Sequence, residues 1–246
     1  MGEHIALAIP YYNDIKAGAL AAIDYACAPD TPHQIIRWYS GDARLTFNFN
    51  DCWCVALNMR PRPTKFVMMH VDVKPLSGGW LDMMVAEHAR SGVDLLSVLL
   101  PIKTDEQKSS TFLEEKRTGR IRPLSMVECL SGPTTFDAAD LGFPDCRMLF
   151  STGLWICDFT KPWVEKVSFE VRDRIVPLED GTFKAEQVEE AWTFSHKLYA
   201  LGLKIKTTRL ISAKHIGDWE YPNDSLDRGP GAEKWGESIG WWRQKG

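Results

Sequence analysis

Short apolar runs alternate with segments of helical spacing through the first hundred residues. The runs that predict strands are His4–Ile9, His33–Tyr39, Thr64–Val71 and Val93–Leu100. The last of them, VDLLSVLL, is apolar almost throughout, which is typical of a strand covered on both faces. Strands that alternate with helices form mostly parallel sheets with helices on both sides. The sequence therefore predicts an α/β fold, a single domain built on a mostly parallel, twisted sheet with helices on both faces.

The second half of the chain is less regular. Lys103–Arg122 is polar and predicts a long loop, while Cys146–Phe159 predicts two short strands. A helix is expected over Glu186–Ala200, and a strand over Leu203–Arg209. From Gly217 onward the chain is rich in Gly, Pro, Trp and acids, so we expect an irregular C-terminal segment.

Composition narrows the class of protein. The 246 residues carry a net charge of −4, which argues against a general nucleic-acid coat but leaves room for a local basic patch. No apolar run reaches the roughly 20 residues that span a bilayer, and the N-terminus lacks the features of a signal peptide. The six cysteines include no CxxC pair and are expected to be reduced thiols. The expected location is the cytoplasm, or the host cytoplasm if the chain is viral.

The third strand ends in an unusual way. In KFVMMHVDVKP an apolar run stops at His70 and Asp72, two residues apart. Residues i and i+2 of a strand point to the same side, and ligands of parallel sheets bind beyond the carboxyl ends of the strands. A nitrogen and an oxygen ligand suit Mn²⁺, and a carboxylate alone suits Mg²⁺. A His-x-Asp at a strand end is also common without metal, and Asp72 could simply cap the turn that follows.

The segment FVMMHVDVKPLSGGWLDMM resembles the part of GT-A fold glycosyltransferases that carries the DxD signature. In that family the last acid holds a divalent ion, which grips the diphosphate of a nucleotide sugar. The resemblance implies Asp72 as a metal ligand. It leaves open whether His70, in the place of the first acid, contacts metal, ribose or nothing.

Two further stretches resemble the donor pocket of the same family. IALAIPYYND is similar to the first strand and loop around the base, which implies roles for Pro10 and Tyr11. YSGDARLTFNFNDCW is similar to the exit of the second strand, where Asp42, Arg44 and Asn50 would face the nucleotide. Tyr11 could equally be an ordinary surface aromatic residue.

Later stretches resemble the family in the same order. STGLWICDF is similar to the turn under the transferred sugar, where Gly153 would let the backbone approach the ligand. Residues 188–217 are similar to the helix that begins with an acid pair and is followed by a late histidine, which implies His215 as a metal ligand. One residue of that acid pair is Ala191 here. Either Glu190 or Glu189 acts as base, or the reaction retains configuration and needs none.

The resemblance implies a transferase that uses Mn²⁺ or Mg²⁺. It would move a sugar from a nucleoside-diphosphate sugar, with a UDP-sugar expected, to a hydroxyl acceptor that is a glycan or modified DNA. Compact phage enzymes of this kind glycosylate hydroxymethylated pyrimidines in DNA, and four basic residues lie within 116–122. A solvated loop is the simpler explanation of that basic segment.

The resemblance also implies a layout for the chain. Residues 1–217 would form the catalytic domain, with a nucleotide-binding half at 1–100 and an acceptor half at 101–217. Residues 218–246 would be a Trp-rich tail that could close over substrate. Two other functions stay open: a nucleotidyltransferase, although the first loop lacks a Gly-rich phosphate motif, and a nucleotide-sugar or glycan-binding protein with little catalysis, which Ala191 favours.

Overall fold

The computed structural model describes residues 2–11, 15, 17–28, 30–104, 106–178, 180–217 and 220–224. Within these ranges the helices are α1 Ala17–Ala26, α2 Leu45–Asn58, α3 Trp80–Ser91, α4 Met126–Ser131 and α5 Glu190–Ala200, with a 3-10 helix at Pro162–Glu165. The strands are β1 His4–Tyr11, β2 Gln34–Gly41, β3 Lys65–Met69, β4 Val73–Pro75, β5 Leu95–Val98, β6 Lys108–Glu115, β7 Ile121–Ser125, β8 Thr135–Phe136, β9 Cys146–Leu149, β10 Leu154–Asp158, β11 Arg172–Pro177, β12 Phe183–Val188, β13 Ile205–Thr208, β14 Ala213–Ile216 and β15 Glu220–Pro222. None of these helices has the length and apolar character needed to cross a membrane.

Seven of these strands form the central sheet, in the order β2-β1-β3-β10-β5-β13-β8. β1 pairs in parallel with β2 and β3, and β5 pairs in parallel with β13. β10 runs antiparallel to both β3 and β5, and β8 runs antiparallel to β13. Five of the seven strands therefore point the same way, and the prediction of a mostly parallel sheet is confirmed.

Both faces of this sheet are covered by helices. In β1, Ile5, Leu7 and Ile9 pack into the core formed with α1 and α3, whereas Ala6 and Ala8 pack into the core formed with α2 and α5. Because successive residues of a strand point to opposite faces, a strand between two cores is apolar at every position. The predicted α/β class with helices on both faces is confirmed.

The core beneath α2 and α5 is built around Trp53, which is 2% exposed. Its ring lies 4.7 Å from that of Phe66 and 4.8 Å from that of Phe159. Its indole Nε1 donates a hydrogen bond of 2.8 Å to the carbonyl of Val164, so burial leaves no unpaired donor. The small residues of β1 make room for this aromatic cluster.

The long loop predicted over Lys103–Arg122 is wrong, because β6 and β7 form an antiparallel hairpin there. β6 alternates between half-buried and buried residues as far as Leu113, with Ser109, Thr111 and Leu113 inward. Serine and threonine are not hydrophobic, so the hydrophobicity pattern of the sequence does not reveal this alternation. The predicted helix over Glu186–Ala200 also begins too early, since its first residues belong to β12.

The carboxyl ends of the parallel strands meet at one edge of the sheet. β1, β2, β3 and β5 end at this edge and the antiparallel β10 begins there. A small sheet of β15, β14 and β4 follows directly from the end of β3. The edge therefore gathers residues that are far apart in sequence.

We expect Trp53→Ala to lower the free energy of unfolding by about 3–5 kcal/mol, because it leaves a large cavity and an unpaired Val164 carbonyl. Urea denaturation followed by circular dichroism measures this. Trp38→Ala is the matched control, since Trp38 is 40% exposed and its loss should change stability by less than about 1 kcal/mol. Equal losses from the two variants would contradict the central role of Trp53.

Candidate functional site

The segment that follows β3 turns back sharply at the edge of the sheet. The His70 amide donates to the carbonyl of Gly153 at 2.8 Å, which continues the β3–β10 pairing by one residue. The Val73 amide then donates to the carbonyl of His70 at 3.0 Å and closes a tight turn that holds Asp72. The apolar strand thus ends where the sheet ends, and Asp72 is presented beyond it.

The turn is paired with a late part of the chain. β4 and β14 run antiparallel with Val73 opposite His215, and the Ile216 amide donates to the Asp72 carbonyl at 2.6 Å. As a result, His215 Nε2 lies 3.7 Å from Asp72 Oδ2. The structure therefore brings together the two side chains that the sequence proposes as metal ligands.

A backbone carbonyl fixes the orientation of the His215 ring. Nδ1 of His215 lies 2.7 Å from the carbonyl oxygen of Pro101. A carbonyl only accepts hydrogen bonds, so Nδ1 carries the hydrogen, and in neutral imidazole Nε2 directs its lone pair at the Asp72 side. Metal-binding histidines commonly donate their second ring nitrogen to a carbonyl or carboxylate in this way.

Two polar atoms beside this pair are buried and have no hydrogen-bond partner, Asp72 Oδ1 and His70 Nε2. Burial lowers the pKa of His70 to about 4, so its ring is neutral near pH 7 and one of its two ring nitrogens carries a lone pair. Burial alone would raise the pKa of Asp72, but the positive charge that His215 carries when protonated, together with the ammonium of Lys103, holds it well below its usual range. Leaving such atoms unpaired costs about 1–3 kcal/mol each.

These oxygen and nitrogen atoms have the chemistry of a site for Mn²⁺ or Mg²⁺. These side chains form only part of a metal site, because no group of three or more His, Cys, Asp or Glu side chains converges within the described ranges. The protein would supply Asp72 and His215, and other oxygens would complete the coordination.

A lysine contacts the same carboxylate. Lys103 Nζ forms an ion pair with Asp72 Oδ2, the oxygen that faces His215. The sequence analysis missed Lys103 because it assigned the residue to a polar loop. The sequence did contain a pattern that could have identified it. Lys103 follows the buried strand β5, just as Asp72 follows β3, and both strands end at the same edge.

Asn48 joins the ends of β1 and β2, where the donor base was expected. Its side-chain amide donates to the carbonyls of Tyr11 at 3.0 Å and of Asp42 at 2.8 Å. The Tyr11 ring lies against Gly41, where a methyl group would be 2.3 Å from Tyr11 Cζ. Pro10 is buried one residue before Tyr11 and pairs with Ser40 of β2. The predicted pair Pro10 and Tyr11 thus lies at this edge.

The three polar residues predicted to face the nucleotide have different surroundings. Arg44 binds Asp42 through two hydrogen bonds, of 2.9 Å and 3.1 Å, which lower the pKa of Asp42 to about 2. The Arg44 guanidinium is exposed and lies over the ring of Phe47. Asn50 instead exchanges two hydrogen bonds with the backbone of Phe169, so its amide is engaged within the protein.

Gly153 lies in a crowded position between β10 and the turn after β3. A methyl group there would come within 2.5 Å of Leu100 Cδ1 and 3.4 Å of Val73 Cγ2. Its neighbour Thr152 donates a hydrogen bond of 3.1 Å from Oγ1 to Glu190 Oε1. The Gly153 carbonyl also accepts a hydrogen bond from the His70 amide. Residues 152–153 therefore connect Glu190 to the turn that holds Asp72.

The two glutamates at the start of α5, Glu189 and Glu190, have different surroundings. Glu190 is half-buried, and burial raises its pKa even though it lies in the first turn of a helix. Glu189 is exposed at the helix N-cap and caps no backbone group with its side chain. Ala191, in the place of the second acid, is 8% exposed.

The sequence analysis named two elements that could contact the acceptor, the basic segment 116–122 and the tryptophans of the C-terminal tail. The basic residues of 116–122 flank the tip of the β6–β7 hairpin, where Arg117 pairs with Glu115 and Arg122 pairs with Glu128. The tail tryptophans Trp219, Trp235, Trp241 and Trp242 lie outside the described residues.

No family model and no curated protein matches the chain. Among solved structures it is similar to A197 from STIV, with a TM-score of 0.52 and 13% identity over 90% of this chain and 91% of that one. At this identity the likeness shows the fold alone. A protein from Bacillus anthracis described as a glucose-1-phosphate thymidylyltransferase, in complex with sucrose, has 10% identity over 87% of this chain and 89% of its own. Its TM-score of 0.40 is too low to bear on fold or function.

We expect Glu190→Gln to stabilise the protein near pH 8, by on the order of 1 kcal/mol, and to have little effect near pH 4. Burial raises the Glu190 pKa, so the folded state binds more protons than the unfolded state in the window between the two values. The free energy of unfolding of the wild type therefore falls as pH rises through that window. Urea titrations at both pH values measure the difference.

Glu189→Gln is the control for this experiment, because Glu189 is exposed and the substitution removes the same charge one residue away. It should leave stability nearly unchanged at both pH values. A wild type as stable as Glu190→Gln at both pH values would contradict the raised pKa.

Proposed function

We propose that this chain is a metal-dependent glycosyltransferase that moves a sugar from a nucleoside-diphosphate sugar to a hydroxyl acceptor. The observation that carries the proposal is the meeting of Asp72 and His215 at the carboxyl edge of the sheet, with the His215 ring held by the Pro101 carbonyl. Ligands of open α/β sheets bind at this edge. The buried, unpartnered Asp72 Oδ1 supports a cation there.

Asp72 and His215 would hold Mn²⁺ or Mg²⁺. Bound there, the ion would act as a Lewis acid toward the negative charge that develops on the diphosphate leaving group. The half-buried setting strengthens such an interaction, since Asp72 and His215 are only 25% and 16% exposed. Asp72 is held as an anion by its neighbours, as a metal ligand must be.

The donor nucleotide would lie over the ends of β1 and β2. Pro10 and Tyr11 are proposed to line the base pocket, and Asp42 and Arg44 to face the nucleotide. Asn48 holds these two strand ends in register through the carbonyls of Tyr11 and Asp42. Gly153 would lie under the transferred sugar, where its lack of a side chain also avoids a clash with Leu100.

Glu190 is proposed as the base that takes the proton of the acceptor hydroxyl. Its raised pKa brings the carboxyl nearer to the pH at which it would work, which favours proton abstraction. The hydrogen bond from Thr152 orients Oε1 toward the edge that holds Asp72. Exposed Glu189 is the alternative base, and a retaining reaction would need neither.

The proposed acceptor is a hydroxyl group, and hydroxymethylated pyrimidine DNA remains one candidate to assay beside glycans. Two of the four basic residues in 116–122 pair with nearby acids, Arg117 with Glu115 of β6 and Arg122 with Glu128 of α4. The basic segment therefore does not favour DNA over a neutral glycan.

The first experiment is a thermal-shift screen of nucleoside diphosphates with and without Mn²⁺, followed by hydrolysis of the UDP-sugar or other donor that binds. We expect Asp72→Ala to lower metal-dependent donor hydrolysis by on the order of 100-fold or more, because several kcal/mol of charge stabilisation is lost. Asp145→Ala, at an exposed residue of the loop before β9, is the matched control and should retain full turnover.

Other results would indicate a different function or mechanism. Nucleotide-sugar binding without metal-dependent turnover would indicate a binding protein. Release of pyrophosphate from a nucleoside triphosphate and a sugar phosphate would indicate a nucleotidyltransferase. Equal hydrolysis by wild type and Asp72→Ala would remove the metal site from the mechanism.

We expect Glu190→Gln to lower transfer to the acceptor by roughly 10²–10⁴-fold, the usual contribution of a general base. In the wild type, the rate should rise with pH as Glu190 loses its proton, and this dependence should disappear in the variant. Glu189→Gln should keep both the rate and the pH profile. The same rate in all three proteins would favour a retaining reaction without this base.

A further inference from the structure

Lys103 occupies the position that a cation would take at the proposed metal site. Its Nζ contacts Asp72 Oδ2, and the same oxygen faces His215 Nε2 at 3.7 Å. The ammonium group is therefore the positive charge that the site holds when no other cation is bound. Nothing in the reaction proposed above uses this residue.

The backbone and the stem of Lys103 are held in place by neighbours. Lys103 follows Pro101, whose carbonyl orients His215, and Ile102, whose amide donates to the Lys108 carbonyl at 2.8 Å. The stem runs along Gly217, where a methyl group would lie 3.1–3.4 Å from three of its carbons. The Lys103 side chain as a whole is 33% exposed. The stem is thus fixed, while the charged end can turn toward a ligand in the site.

A divalent ion and the ammonium cannot share Asp72 Oδ2, because like charges at contact distance repel strongly in a half-buried site. An ion alone would have to displace Lys103 from Asp72, the partner of its Nζ among the residues that the structure describes. A diphosphate that arrives with the ion offers Lys103 a replacement partner. An ammonium is a compact charge with three donors, which suits phosphate oxygens.

We propose that Lys103 is a diphosphate-binding residue whose resting place is the metal site. This inference rests on the proposed function. It adds a coupling between the binding of the metal ion and the binding of the diphosphate. Lys103 opposes the metal ion when the diphosphate is absent and binds the diphosphate when the metal ion is present. Because coupling between two binding sites is reciprocal, each ligand raises the affinity for the other.

The test is Lys103→Met, which keeps the length of the stem and removes the charge. Mn²⁺ binding to the free protein is measured from the electron paramagnetic resonance signal of unbound Mn²⁺, and UDP binding at saturating Mn²⁺ is measured by calorimetry. We expect Mn²⁺ alone to bind about tenfold more tightly to the variant, and UDP to bind about tenfold more weakly, within the usual range of coupling between sites. Any other nucleoside diphosphate that the thermal-shift screen identifies replaces UDP.

Two further variants complete the design. Lys161→Met removes the same charge at the far edge of the sheet, beside Asp158, and should alter neither affinity. Lys103→Gln is also uncharged and repeats both measurements should the methionine variant not fold.

The outcomes separate the inference from the proposed function. Opposite changes in the two affinities support the role of Lys103. Unchanged or weaker Mn²⁺ binding in the Lys103 variants, with Mn²⁺ and UDP both binding to wild type, would overturn this inference alone. A wild type that binds neither Mn²⁺ nor any nucleoside diphosphate would overturn the proposed function and the inference together.

Discussion

The pairing of β4 with β14 is the constraint on which the candidate site depends. Both strands are short, yet their register places His215 opposite the residue after Asp72. Buried Asn223 secures this small sheet, since its amide donates to the carbonyls of Leu99 at 2.9 Å and Ile211 at 2.8 Å, and its Oδ1 accepts from the Ala213 amide. Leu99 directly follows β5, so the small sheet is fixed to the edge of the large one.

Stability and chemistry are separated in this molecule. Large aromatic side chains such as Trp53 and Trp155 fill one core and pack ring against ring. The edge of the sheet instead gathers a carboxylate, two imidazoles and an ammonium in a half-buried space, with polar atoms that lack partners. Such atoms destabilise a folded protein unless a ligand satisfies them. The burial of apolar side chains in the cores offsets the cost of these unpartnered polar atoms at the edge.

Much of the fold could be predicted from the sequence because its signals are local. The apolar runs that became β1, β3 and β5 define buried parallel strands, and the prediction of helices on both faces followed from the alternation. The β6–β7 hairpin could not be recognised by hydrophobicity, because its inward residues include Ser109 and Thr111. Helix α5 begins later than its pattern suggested, because the preceding residues pair with β11.

The candidate site was only partly predictable. Residues at strand ends, such as Asp72, follow from the rule that ligands bind at the carboxyl edge. His215 required the resemblance to a family, since no local pattern shows that β14 pairs with β4. Lys103 and Asn48 were missed because their importance lies in contacts with residues distant in the sequence. Asn50, two residues from Asn48, is turned the other way along the helix and holds Phe169.

The antiparallel β10 has a consequence for how such a chain can evolve. It enters from the second half of the sequence and is hydrogen-bonded between β3 and β5, which both belong to the first half. A fragment that ends near residue 100 would therefore leave a gap in the middle of its own sheet. A chimaera made from halves of two related chains would therefore place a strand from one parent between two strands of the other. The interleaved strands are therefore expected to be inherited together, while the loops at the edge of the sheet can change separately.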